Sequence, residues 1–303
     1  MKSTRMKILA TLFLGLITYV STAQGCSDAG FCTLNNFKPN EINDNAMKNQ
    51  IKIGTSYGGA DHSISIFGSY LEYNRQISEK LEIGSKLTSL SQSGNGISNF
   101  GISDLYLTAN YRLNKKTKLT LGTKIPLTSS NEFKNNLPLP MDYQSSLGTF
   151  DLIVGVGYEV KKIQFVLAIQ QPLSQNNNEF LAESYLATSN LREFQSTNNY
   201  KRNGDVLLRS SYPITLNNKF KITPSILPIY HLSNDKFTNA LGVENEIEGS
   251  RGLTINGNAY FDYKINSKNA LQLNVGMPFL TRTSRPDGLT RSFIMNLEYK
   301  IQF

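Results

Sequence analysis

His231 and Ser233 stand two residues apart in the stretch His231-Leu232-Ser233-Asn234. On an extended strand, residues two apart point to the same side. An imidazole and a hydroxyl so placed meet the first requirement of a base and its nucleophile. Glu244 or Asn234 would be the group that orients the imidazole. The other pair with chemistry of its own is Cys26 and Cys32, the only cysteines. In an oxidising compartment two such neighbours pair as a disulfide. A redox pair shows C-x-x-C spacing, and a zinc site needs more ligands than two. The chain has no phosphate-binding glycine loop, metal cluster or paired catalytic carboxylates, so no cofactor or metal is expected.

The elements that must position these residues are strands. From Arg291 to Phe303 the chain reads RSFIMNLEYKIQF. Phe293, Met295, Leu297, Tyr299, Ile301 and Phe303 share one face. Ser292, Asn296, Glu298, Lys300 and Gln302 share the other, with Ile294 the one apolar exception. A period of two is a strand signal. An apolar face backed by full charges suits a strand with lipid outside and water inside. Similar alternation recurs from Gln50 onward and yields twelve strands. The sixth sets Phe150, Leu152, Val154, Val156, Tyr158 and Val160 against Asp151, Gly155, Gly157 and Glu159. A phase shift in the second, near Phe67-Gly68, reads as a bulge. Connections after even-numbered strands are short. Those after strands three, five, seven and nine read as long, with 128–148 and 174–203 the extremes. Short turns on one side, long loops on the other and an even strand count are the pattern of an outer-membrane barrel. A sheet can lie in lipid only if it closes, because every backbone N–H and C=O needs a partner within the protein. The expected fold is therefore all-β: a transmembrane antiparallel barrel over 50–303, in the outer membrane of a Gram-negative-type bacterium.

The same alternation assigns an interior face. Asp104, Arg112, Lys118, Lys124, Asp151 and Glu159 fall on it from the first half. Arg209, Asp262, Lys264, Glu298 and Lys300 follow from the second. Rings of mixed charge tune what passes through a pore. The same groups, paired across a twelve-strand lumen, can instead fill it. Both outcomes are compatible with the pattern. His231 also falls inward by the period of Phe220, Ile222, Ile226 and Tyr230, although Pro224 and Pro228 soften that register.

Composition agrees. The mean hydropathy is −0.30, and the longest apolar run, Ile8 to Val20, is too short for a spanning helix, which needs about 20 apolar residues. Alternation hides a barrel from such averages. With 15 Tyr, 16 Phe and no Trp, aromatic girdles must be built from Tyr and Phe. The net charge of +8 is spread over many turns, not gathered on one face with interleaved aromatics. That argues against nucleic acid and is compatible with anionic outer-membrane lipids. Residues 1–23 read as a signal peptide: Lys2, Arg5 and Lys7, then the apolar run, then Ser21-Thr22-Ala23. Lipid attachment at Cys26 is the competing reading, with Ala23 where Leu is usual. Residues 24–49 form a short segment that either lines the periplasmic mouth or enters the lumen as a plug.

From Phe100 to Thr128 the chain reads FGISDLYLTANYRLNKKTKLTLGTKIPLT. With Gly101, Asp104, Tyr111, the 114–116 turn, Lys124-Ile125-Pro126 and the later run from Tyr143 to Asp151, this resembles a family of outer-membrane channels named after a meta-cleavage phenol-degradation pathway. That family is distantly similar to the long-chain fatty-acid transporters. The resemblance implies a barrel that passes small, often hydrophobic molecules. The Asn-Pro-Ala plug motif of the fatty-acid transporters is absent. The H-x-S-N spelling is similar to the active-site strands of outer-membrane phospholipase A and lipid A deacylase, which implies a lipid hydrolase as the alternative; the Arg and Trp that flank it there are missing. The ending at Phe303 resembles the terminal strand read by the barrel-insertion machinery, which would then be a partner.

Overall fold

A computed structural model describes residues 37–39, 47–288 and 292–303. The expected signal peptide, its cleavage site and the expected Cys26–Cys32 disulfide lie outside these residues. The twelve barrel strands are β1 (Asn49–Gly59), β2 (Ser65–Gln76), β3 (Leu81–Gly94), β4 (Ile97–Arg112), β5 (Thr117–Pro126) and β6 (Asp151–Val160). They continue with β7 (Ile163–Pro172), β8 (Asp205–Ser211, resumed over Ile214–Thr215), β9 (Phe220–His231), β10 (Gly252–Lys264), β11 (Asn269–Leu280) and β12 (Phe293–Gln302). Each pairs antiparallel with its neighbours in sequence. β12 returns to β1, with Ile51 opposite Ile301 and Tyr57 opposite Met295, which closes the sheet.

The closed sheet has the two faces that the alternation requires. Ile53, Leu71, Leu121, Val154, Ile169, Ile226 and Leu297 stand on the outer wall, each about half exposed. Lys52, Glu72, Lys124, Asp151, Arg209 and Glu298 point inward and are almost fully buried. An apolar outer band around a charged interior, with no free sheet edge, is the build of an outer-membrane barrel. The protein is of this kind, and its place is the outer membrane.

Two expectations about the strands need correction. Phe67 and Gly68 keep strict alternation, and β2 runs in unbroken register against both neighbours. The bulge lies instead on β4, where the register against β3 slips between Leu87 and Ser89. Ser103 and Asp104 both turn inward there, and the Thr88 hydroxyl bridges the Asp104 backbone at 3.0–3.1 Å. Hydropathy alone does not separate this site from the true alternation of β2. The connection from β3 to β4 is also short. It is the two-residue turn Asn95-Gly96, both at positive φ, the Asn-Gly combination that matches the twist of a hairpin.

The seam between β8 and β9 is the thinnest in the wall. Leu208 and Arg209 have no bridge partner across it. The Pro224 carbonyl faces β8, accepting from the Tyr212 N–H at 3.0 Å. Pro228, four residues on, faces the same way. Neither proline has an N–H to donate.

The remaining long connections, 127–150, 173–204, 232–251 and the described part of the last one, 281–288, fold over the extracellular mouth. Their core joins Leu139, Tyr143, Phe180, Leu191 and Phe194 to Ile64, Ile66 and Ile97 at the strand tops. A second cluster holds Met141, Leu147, Tyr200 and Ile247.

Candidate functional site

The candidate site is the lumen, and its wall has three sectors. The first is ionic. Register sets Lys52 opposite Glu72, and Glu72 opposite Lys86. Lys52 Nζ lies 3.4 Å from Glu298 and 4.0 Å from Glu72, and Lys86 lies 3.8 Å from Glu72. The Tyr70 hydroxyl donates to Glu298, and Lys86 sits 3.5 Å over the Tyr70 ring. Gly54 makes this possible, since a β-carbon there would fall 2.2 Å from that ring. Across β5 and β6, Lys124 pairs with Asp151 at 3.0 Å, both fully buried. Asp104 accepts from Ser146 at 2.6 Å and Ser103 at 2.9 Å.

The second sector is apolar. Tyr106, Ile153, Val166, Ala168, Leu207, Leu227 and Ile229 make one cluster on β4 and β6–β9. Phe37, from the segment ahead of the barrel, completes it and is 1 % exposed. Its carbonyl accepts from Arg209, and Lys38 reaches to 3.8 Å from Glu298 on the ionic side. Of the two places expected for this segment, residues 37–39 take the lumen. Beside Lys38 and Pro39, a cavity of about 80 Å³ lies toward the short-turn side, lined by 114–118, Gly157 and Gln164 among others. The third sector, on β9–β11, is polar and uncharged: Thr223, Ser225, Asn256, Asn258, Gln272 and Asn274.

The sequence-assigned interior residues divide by height. Asp104, Lys124, Asp151, Arg209, Asp262, Glu298 and Lys300 are buried inside. Arg112, Lys118, Glu159 and Lys264 lie at the turn-side rim, Arg112 exposed and the other three half-buried. Phe37 as a lumen residue was missed, because a lone aromatic in an aperiodic segment carries no pattern. Arg202, Asp235, Arg282 and Asp287 were missed because they lie in loops, where alternation gives no signal.

His231 points inward, 1 % exposed. Its Nδ1 contacts Asp205 at 2.7 Å and its Nε2 contacts Asp235 at 2.8 Å. With a carboxylate on each ring nitrogen, both nitrogens donate, and no lone pair remains to take a proton from a nucleophile. Ser233 is exposed, outside this network. Glu244 belongs to a hairpin beyond the barrel, where Lys201 and then Lys236 hold its carboxyl at about 2. The base–nucleophile–orienter constellation is therefore not assembled. The strand ends at His231, so Ser233 no longer follows the two-residue rule that motivated the pair.

His231 instead belongs to a buried ionic knot under the extracellular loops. Arg202 pairs with Asp205. Arg282 pairs with Asp287 at 3.0 Å and donates to the Ser250 carbonyl at 2.7 Å. Tyr200 donates to Asp235 at 2.7 Å; burial first, then Asp235, raises its hydroxyl well above the ordinary range. Residues of four segments are locked together in this way.

No protein-family model and no curated protein sequence matches the chain. Among solved structures, the NanC porin covers 84 % of the chain and 98 % of its own length at 8 % identity and a TM-score of 0.45. The translocator domain of the autotransporter NalP from Neisseria meningitidis covers 86 % and 90 % at 9 % identity and 0.45. The CymD monoaromatic hydrocarbon channel covers 85 % and 89 % at 9 % identity and 0.43. At such scores these likenesses carry no argument about what this chain does.

Proposed function

We propose that the protein is an outer-membrane channel for small molecules, passive in mechanism and held shut by its own N-terminal segment. The observation that carries this is Phe37. Its ring occupies an apolar wall patch inside an otherwise polar lumen, anchored by Arg209 on its carbonyl and by the neighbouring Lys38 near Glu298. A tether of this kind, seated by one ring and two polar contacts, is a reversible stopper. When it leaves, it uncovers a pocket for the apolar part of a solute. The resemblance of 100–151 to the meta-pathway channel family is in keeping with a solute that is partly hydrophobic.

The test is permeation through proteoliposomes holding the full mature chain. Phe37→Ala is expected to raise the swelling rate over the parent protein, with the barrel intact by heat-modifiable gel migration. The second reading is a structural barrel whose lumen stays filled; burial of Lys124 and Asp151 at 0 % favours it. Swelling at the level of empty liposomes for both parent and Phe37→Ala would sink the channel and leave the structural barrel.

A further inference from the structure

The third sector of the wall names a class of solute. Thr223 and Ser225 on β9, Asn256 and Asn258 on β10, and Gln272 and Asn274 on β11 point into the lumen from adjacent strands. Ser225 stands opposite Asn258, and Asp262 opposite Gln272. Thr223 and Asn256 are 0 % and 1 % exposed, and Ser225, Gln272 and Asn274 are each 6 % exposed. The Thr223 and Ser225 hydroxyls, both polar atoms of Asn256, the Asn258 nitrogen, and the Gln272 and Asn274 oxygens have no hydrogen-bond partner among the described residues. Buried polar groups are almost always satisfied, and these are gathered on one patch.

The patch is also built. Gly276 leaves room for Asn258, whose amide oxygen would lie 2.5 Å from a β-carbon at that position. The charges beside it are already engaged: Asp262 by Lys221 at 3.3 Å and by the Gln272 nitrogen at 2.7 Å, and Glu298, opposite Gln272, by Lys52 at 3.4 Å. The patch meets the apolar sector where Leu227 stands opposite Asn256.

We infer that this wall binds a neutral solute carrying several hydroxyl groups, a sugar or polyol. A hydroxyl donates and accepts at once, and the unpartnered atoms here include donors, acceptors and two hydroxyls. An apolar solute satisfies none of them. An ion finds no countercharge among the six residues. The inference rests on the lumen being a solute path and adds the chemistry of the solute: hydroxyls toward β9–β11, with any apolar face toward Leu227 and the Phe37 seat.

The experiment is saturation-transfer NMR on the detergent-solubilised full chain, with D-glucose as probe and glycine as a small zwitterionic control. Transfer to glucose and not to glycine is expected, and is stronger in Phe37→Ala. Asn256→Ala is expected to weaken glucose binding by about fivefold, the effect of one lost hydrogen bond. Thr223→Val, which removes a hydroxyl at constant shape, does the same should Asn256→Ala fail to fold. Absence of transfer to glucose in both the parent and Phe37→Ala means that the patch takes water only, and overturns the inference. So does transfer that both variants leave unchanged. Loss of the channel reading registers separately, as background swelling in Phe37→Ala whatever glucose does in the NMR tube.

Discussion

The ring of Phe37 rests on Gly155 in the barrel wall: a β-carbon at position 155 would come within 2.4 Å of it. Only hydrogen fits between that backbone and the ring. The wall is thus cut to receive this one side chain from the N-terminal segment. Gly155→Val is expected to unseat Phe37 while leaving the outer face of β6 unchanged. Permeation should then rise about tenfold, the effect of a ~1.4 kcal/mol shift between seated and unseated states. Single-channel recording in planar bilayers measures it. An unchanged open fraction would show that the segment does not gate.

Glu298 holds the ionic sector together. Replacing it by Gln takes from Lys52 the nearer of its two carboxylates and leaves Glu72, at 4.0 Å and shared with Lys86; weakening a buried pair in this way costs up to about 3–5 kcal/mol. Glu298→Gln should lower the urea midpoint accordingly, followed by tyrosine fluorescence in detergent. Lys52→Met combined with Glu298→Leu should recover much of the loss, since well-packed apolar pairs replace buried ion pairs at little cost. A single variant that unfolds like the parent would mean that water enters this part of the lumen freely.

His231 acts on the fold of the cap, and His231 and Ser233 should therefore behave differently. His231→Ala leaves Asp205 and Asp235 without their shared partner and should make the extracellular loops readily cleaved by trypsin. Ser233→Ala, exposed and outside the network, should stay within about 0.5 kcal/mol of the parent. Equal sensitivity of the two variants would contradict the assignment.

The cap should also respond to pH through Asp142. Burial, with the carboxylates of Asp61 and Asp287 nearby, pushes its pKa up from 3.8 to about 7, against the opposing pull of Arg285. The folded cap thus prefers the neutral acid. Its contribution to stability is complete below about pH 4 and fades as pH rises through about 7. Loop proteolysis should be slower at pH 5 than at pH 8, and Asp142→Asn should flatten the difference. A parent protein whose loops are cut equally fast at both values rules this out.

Alternation alone determined that this chain is a closed barrel. The outward residues of β12 and the inward row of Asp104, Lys124, Asp151 and Glu298 follow from a strand period of two and from the demand that lipid meet no bare backbone. Local chemistry set the Asn95-Gly96 turn, which replaces the long connection expected after the third strand. What period cannot encode is contact between distant segments. Phe37 on Gly155, His231 between Asp205 and Asp235, and the unpartnered amides of β9–β11 exist only once the sheet closes and the loops fold in. A strand's periodicity says which way a side chain points. What it meets there depends on the strands brought alongside, and for this protein that meeting, inside the lumen, is where the functional argument lies.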